Sequence, residues 1–161
     1  MNILVIDDEE SDLILIEMIL RRHDPGLMIT TGRSCEDAKK FNAGMDLIII
    51  DQNLLHSKGL DCIREIRAGG YRGAMLLLTG APYDGLAVEA TRYGADGFMS
   101  KEGMFDQLSD AALKAMERRR ESVESTIAEQ QVKEKAEELK DNLSKITDKT
   151  EKGEKGDDSG G

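Results

Sequence analysis

Apolar residues along this chain gather into short unbroken runs, separated by stretches in which they recur every three or four positions. The runs over 2–6, 47–50 and 74–79 are largely aliphatic, the habit of strands buried on both faces of a parallel sheet. Weaker runs over 27–30 and 97–100 predict two more strands. Helical spacing predicts helices over 11–22, 35–41, 59–68 and 84–93. A fifth helix begins at Met104, with Leu108, Ala112, Ala115 and Met116 on its buried face. The helix boundaries carry the expected punctuation: Ser34 as an N-cap, and Pro25-Gly26, Gly44, Gly69-Gly70 and Gly94 as stops. Five strands alternating with five helices predict an α/β fold, a doubly wound five-stranded parallel sheet with right-handed crossovers.

The first helix is apolar nearly all round. If Leu15, Ile16 and Ile19 face the sheet, then Leu13, Ile14 and Met18 face outward and predict a surface for a protein partner.

Four of the five strands close on a polar side chain: Asp7-Asp8, Asp51, Thr79 and Lys101. Taken alone, Asp51 reads first as a capping residue at a strand exit. Together the four ends change the reading, because ligands of open α/β sheets bind beyond the carboxyl ends of the strands. Three carboxylates at one edge repel one another, and one keeps its proton unless a cation intervenes. Mg²⁺ suits such a site, since two or three carboxylates, a carbonyl and retained waters complete its six oxygens. The backbone carbonyl of Asn53 could be that carbonyl ligand. With metal on one side and the Lys101 ammonium on the other, Asp51 is framed as a nucleophile toward phosphorus, giving an acyl phosphate. Thr79 could hydrogen-bond a transferred phosphoryl oxygen.

Residues 1–116 resemble the receiver domain of two-component response regulators. The resemblance rests on Asp7-Asp8, Asp51 with Gly59 eight residues on, Thr79, and Gly94-Ala95-Asp96-Gly97-Phe98 leading to Lys101. It implies a flavodoxin-like strand order, 2-1-3-4-5, and a phosphoacceptor at Asp51. It implies Mg²⁺ held by Asp8, Asp51 and the Asn53 carbonyl, with Asp7 assisting through water. Thr79 and Lys101 would contact the phosphoryl group, and Thr79 and Phe98 would form the switch. A histidine kinase or phosphotransfer protein would be the donor, with a further protein downstream. Leu55 and Glu102 depart from prolines frequent in the family, and Phe98 lacks a hydroxyl, so it would act only by burying or exposing its ring.

Composition adds limits. A formal net charge of −10 opposes nucleic acid and anionic membranes as partners. Residues 1–116 hold 12 Lys/Arg against 19 Asp/Glu, so the acidic excess sits mainly in the globular part. No apolar run approaches the ~18–20 residues of a membrane span, and the chain enters a strand at once, so a cytoplasmic location is expected. Cys35 and Cys62 read as reduced, buried thiols. His23 and His56 read as a helix-end residue and a surface-loop residue.

Beyond Met116 the chain turns Glu-, Lys- and Gln-rich, predicting a charged helical extension over 117–150 and a disordered tail over 151–161. Val132, Ala136, Leu139, Leu143 and Ile146 are spaced 4, 3, 4 and 3, but the register breaks after Ile127. Self-association through 117–146 as a coiled coil and a solvated, salt-bridged single helix both remain open. Three functions follow: a stand-alone phosphoreceiver that is no multiple-turnover enzyme, an adaptor assembling through the extension, and an Mg²⁺-dependent phosphatase. The phosphatase would need a general acid where Asn53 stands.

Overall fold

The computed structural model describes residues 1–154. The strands are β1 (Asn2–Ile6), β2 (Met28–Gly32), β3 (Leu47–Asp51), β4 (Ala74–Thr79) and β5 (Gly97–Ser100). The helices are α1 (Glu10–His23), α2 (Cys35–Phe41), α3 (Gly59–Ala68), α4 (Leu86–Tyr93) and α5 (Met104–Glu154), with a 3₁₀ turn over Lys101–Gly103 before α5. All pairings between these strands are parallel and the order is β2-β1-β3-β4-β5, as the resemblance implies.

Side chains of a strand alternate between faces, and the core divides accordingly. Ile3, Val5, Leu47, Ile49, Leu76 and Leu78 point to one side, where α1 and α5 cover them. Leu4, Ile6, Ile48, Ile50, Met75 and Leu77 point to the other, against α2, α3 and α4. The central strands are aliphatic at every position because neither face meets water. Each such side chain contributes about 1.5–3 kcal/mol by burial. The edge strand β2 is more exposed, which explains its weak pattern.

Three expectations need correction. On α1 the buried residues are Leu13, Ile16, Ile19 and Leu20, while Leu15 is only partly covered. Leu13 therefore leaves the outward set, since its spacing of three and seven from Ile16 and Leu20 puts it on the core stripe. Ile14 and Met18 remain exposed. Cys35 and Cys62 are joined as a disulfide between α2 and α3, with Cα atoms 5.6 Å apart. The fold brings together on neighbouring helices two thiols that the sequence left unrelated. Lastly, α5 continues through 151–154, where no structure was expected; the rest of the predicted tail, 155–161, lies outside the described residues. The chain divides into two units after Arg120, within α5.

Candidate functional site

Parallel strands bring their carboxyl ends to one edge, and register fixes which residues meet there. Ile6 pairs with Ile50, Asp51 with Leu78, and Thr79 with Ser100. Asp7 and Asp8 follow β1, Asp51 ends β3, Thr79 ends β4, and Lys101 follows β5. β1 and β3 flank the point where the chain reverses its direction of winding, the usual crevice of such sheets.

Asp7 and Thr79 are fully buried and Asp51 is 5% exposed. Oxygens of Asp7, Asp8 and Asp51 lie within 4.8 Å of one another. The Lys101 ammonium closes the group: Nζ is 2.6 Å from Asp7 Oδ2, 2.6 Å from Asp12 Oδ2 and 3.1 Å from Asp51 Oδ1. Burial opposes its charge, yet the hydrogen bonds to Asp12 and Asp7 and the nearby Asp51 hold its pKa above the ordinary lysine range. Burial pushes the Asp7 carboxyl above the ordinary aspartate range, against the hydrogen bonds from Lys101 and the Glu9 N–H.

Backbone donors set the remaining orientations. The Asn53 N–H donates to Asp51 Oδ2 at 3.1 Å, leaving Oδ1 facing Lys101. The Ala81 N–H donates to Thr79 Oγ1 at 3.1 Å. The exit from β3 is pinned by α3: Gly59 N–H donates to the Gln52 carbonyl at 2.9 Å, and Gln52 Oε1 accepts from Leu60 N–H at 3.0 Å. A Cβ on Gly59 would collide with the Asp51 carbonyl oxygen and approach Gln52 Cα at 2.9 Å. Glycine is required there so that α3 can start directly against the end of β3.

Among the described residues one buried side-chain oxygen is orphaned: Asp8 Oδ1 has no hydrogen-bond partner. A buried, unpartnered carboxylate oxygen beside two other carboxylates is costly unless something positive meets it. A divalent cation among Asp7, Asp8 and Asp51 fits both the donor chemistry and the orphaned atom.

The chain matches the response regulator receiver domain family over residues 3–113. It belongs to that family. Among the proteins similar to it are the response regulator PhoP of Pseudomonas aeruginosa, 33% identical over 130 residues, and the cell cycle regulator CtrA of Caulobacter vibrioides, 28% identical over 109. These alignments cover 79% and 67% of the chain and 56% and 47% of the relatives, so the chain spans about half the length of the curated relatives it matches. A receiver domain from Clostridium thermocellum superposes with a TM-score of 0.62 at 29% identity, covering 74% of this chain and 96% of that one. A response regulator from Burkholderia pseudomallei, solved with a phosphorylated aspartic acid and a calcium ion, has a TM-score of 0.62 at 25% identity, covering 76% and 74%. Receiver domains are signalling domains, not multiple-turnover enzymes, and they bind Mg²⁺ at an acidic site.

The receiver site thus gathers Asp7, Asp8, Asp51 and Lys101, with Asn53 beside Asp51 and Thr79 on the neighbouring strand end. Phe98, on β5, pairs with Leu77 of β4 and packs half-buried against the α3–α4 side of the core. Ile14 and Met18 stand on α1, where Ile14 lines a groove with Thr31, Arg33 and Phe41. Sequence reasoning missed Asp12, an acidic residue in the first turn of α1. Its signal was its place in the segment that leaves the Asp7-Asp8 strand end and enters α1. Among the described residues, no helix is long and apolar enough to cross a membrane.

Proposed function

We propose that Asp51 accepts a phosphoryl group from a phosphohistidine of a kinase or phosphotransfer protein. The Asp51 carboxylate oxygen forms the new bond to phosphorus; the bond from phosphorus to the donor imidazole breaks, and its electron pair returns to the nitrogen. Asp8, Asp51 and the Asn53 carbonyl would hold Mg²⁺, with Asp7 reaching it through water. The ion would supply positive charge to the phosphoryl oxygens as they approach a crowded acidic rim. Lys101 turns from the carboxylates to a phosphoryl oxygen, and Thr79, released from the Ala81 N–H, donates its hydroxyl to another. Thr79 would move toward the rim, and Phe98 would shift its ring to present a changed surface to a downstream protein. Acceptance is stoichiometric, followed by slow hydrolysis of the acyl phosphate.

The observation that carries this reading is the Lys101–Asp51 contact of 3.1 Å beside the orphaned Asp8 oxygen. Acetyl phosphate with Mg²⁺ should add one phosphoryl group per chain by mass, and beryllofluoride should alter the environment of Phe98. Asp51→Asn labelled as fully as wild type would refute it.

A second reading is favoured by the extension. Ile127, Val132, Leu139, Leu143 and Ile146 are all exposed on α5, and an assembly role would cover them. Sedimentation of the chain and of its 1–120 fragment with candidate partners tests whether 121–161 drives any association.

A further inference from the structure

The distal part of α5 carries an apolar seam whose charged border residues are all of one sign. With Val132, Leu139 and Ile146 at the d positions and Ala136 and Leu143 at the a positions, the seam follows heptad spacing for two repeats. Its residues are exposed, Val132 at 70% and Ile146 at 61%. The flanking e positions are Lys133, Lys140 and Thr147, and the g positions are Lys135, Asn142 and Lys149. Four of the six are lysines, and there is no carboxylate among them. The acids of this stretch, Glu134, Glu137, Glu138, Asp141 and Asp148, all stand at b, c or f, away from the seam. The fifth lysine of the stretch, Lys145, is also an outer residue and is paired with Asp141 at 2.7 Å.

That segregation bears on what covers the seam. In a parallel pair of identical helices, g of one chain faces the following e of the other, so Lys135 would face Lys140 of its copy. In an antiparallel pair, e faces e and g faces g, and lysines meet again. Like charges bordering a seam oppose pairing. A membrane is a poor occupant too, because an a/d stripe is narrower than the broad apolar face of an interfacial helix.

We propose that the α5 seam from Val132 to Ile146 docks an amphipathic helix of another protein, one that places Glu or Asp beside its own apolar seam. The proposal rests on the extension being an assembly element and names the chemistry of its partner. Each flanking lysine then meets a carboxylate, which selects the partner and its register.

The test uses the full chain and three probes. These are a designed helical peptide with a Leu/Ile seam and Glu at e and g, the same peptide with Lys at those positions, and vesicles of phosphatidylserine and phosphatidylcholine. The Glu-flanked peptide is expected to bind, about tenfold or more tightly than the Lys-flanked one, with affinity falling as salt rises. The variant combining K133E, K135E, K140E and K149E, all at exposed positions, should reverse that preference. Equal binding of the two peptides, self-association of the chain alone at tens of micromolar, or binding to vesicles in place of peptide would overturn the proposal. Self-association would leave the assembly reading standing, whereas a chain that binds neither itself nor any probe removes both.

Discussion

Lys101 Nζ lies as close to Asp12 Oδ2, 2.6 Å, as it does to Asp7, and closer than to Asp51 at 3.1 Å. The ammonium that would neutralise a phosphoryl group is thus held by a carboxylate from the first turn of α1. Asp12 competes with any phosphoryl oxygen for Lys101. Asp12→Asn should therefore tighten beryllofluoride binding about three- to tenfold, within the range of one partly exposed charge-assisted hydrogen bond. Titration in Mg²⁺ buffer checks this; unchanged or weaker binding would show that Asp12 is no competitor.

Asp8 leaves a buried oxygen unpartnered in an acidic cluster. Asp8→Asn removes one of three repelling charges, so the cation-free chain should gain roughly 1–2 kcal/mol. Mg²⁺ affinity should fall tenfold or more. Denaturant melts and calorimetry read the two effects separately, and a destabilised variant with unaltered Mg²⁺ affinity would contradict the assignment.

The pH dependence follows from Asp7, whose carboxyl burial holds above the ordinary range. Because the folded value exceeds the unfolded one, this group's contribution to stability is complete below the ordinary aspartate pKa. It is lost as pH rises through the elevated one. Mg²⁺ favours the ionised carboxylate, so its binding weakens as falling pH protonates Asp7. Thermal melts with and without Mg²⁺ should show a stabilisation that shrinks as pH falls through the elevated Asp7 pKa. A stabilisation that did not change with pH would show that Asp7 does not gate Mg²⁺ binding.

Gly59→Ala drives a methyl into the Asp51 carbonyl and the Gln52 backbone. A loss of about 1–3 kcal/mol is expected, as for overpacking elsewhere, together with slower phosphorylation because the end of β3 must move. A variant with wild-type melting and labelling would show that α3 yields without disturbing the acceptor.

The Cys35–Cys62 disulfide closes a loop of sequence separation 27, which stabilises a fold by roughly 3 kcal/mol in the chain-entropy account. Unreduced, denatured chain should titrate no thiol. Reduction should expose both and lower the melting temperature by several degrees. Two titratable thiols without reductant would rule the bond out.

Much of this protein was legible from its residue order alone. Leu47 to Ile50 and Ala74 to Leu78 announce strands buried on both faces, because only such strands are aliphatic at every position. The polar residues that close those runs mark the rim, since parallel strands deliver their ends to a single edge. Contacts set by packing were not legible. Leu13 turned inward because α1 settled on its 13-16-20 stripe, and periodicity in an almost wholly apolar helix does not choose a face. Asp12 met Lys101, and Cys35 met Cys62, only because helices distant in sequence lie side by side. Local sequence determines periodicity, caps and strand ends, which depend on neighbours along the chain. Which side chains touch across the rim depends on how rigid elements pack, and only the tertiary structure decides that.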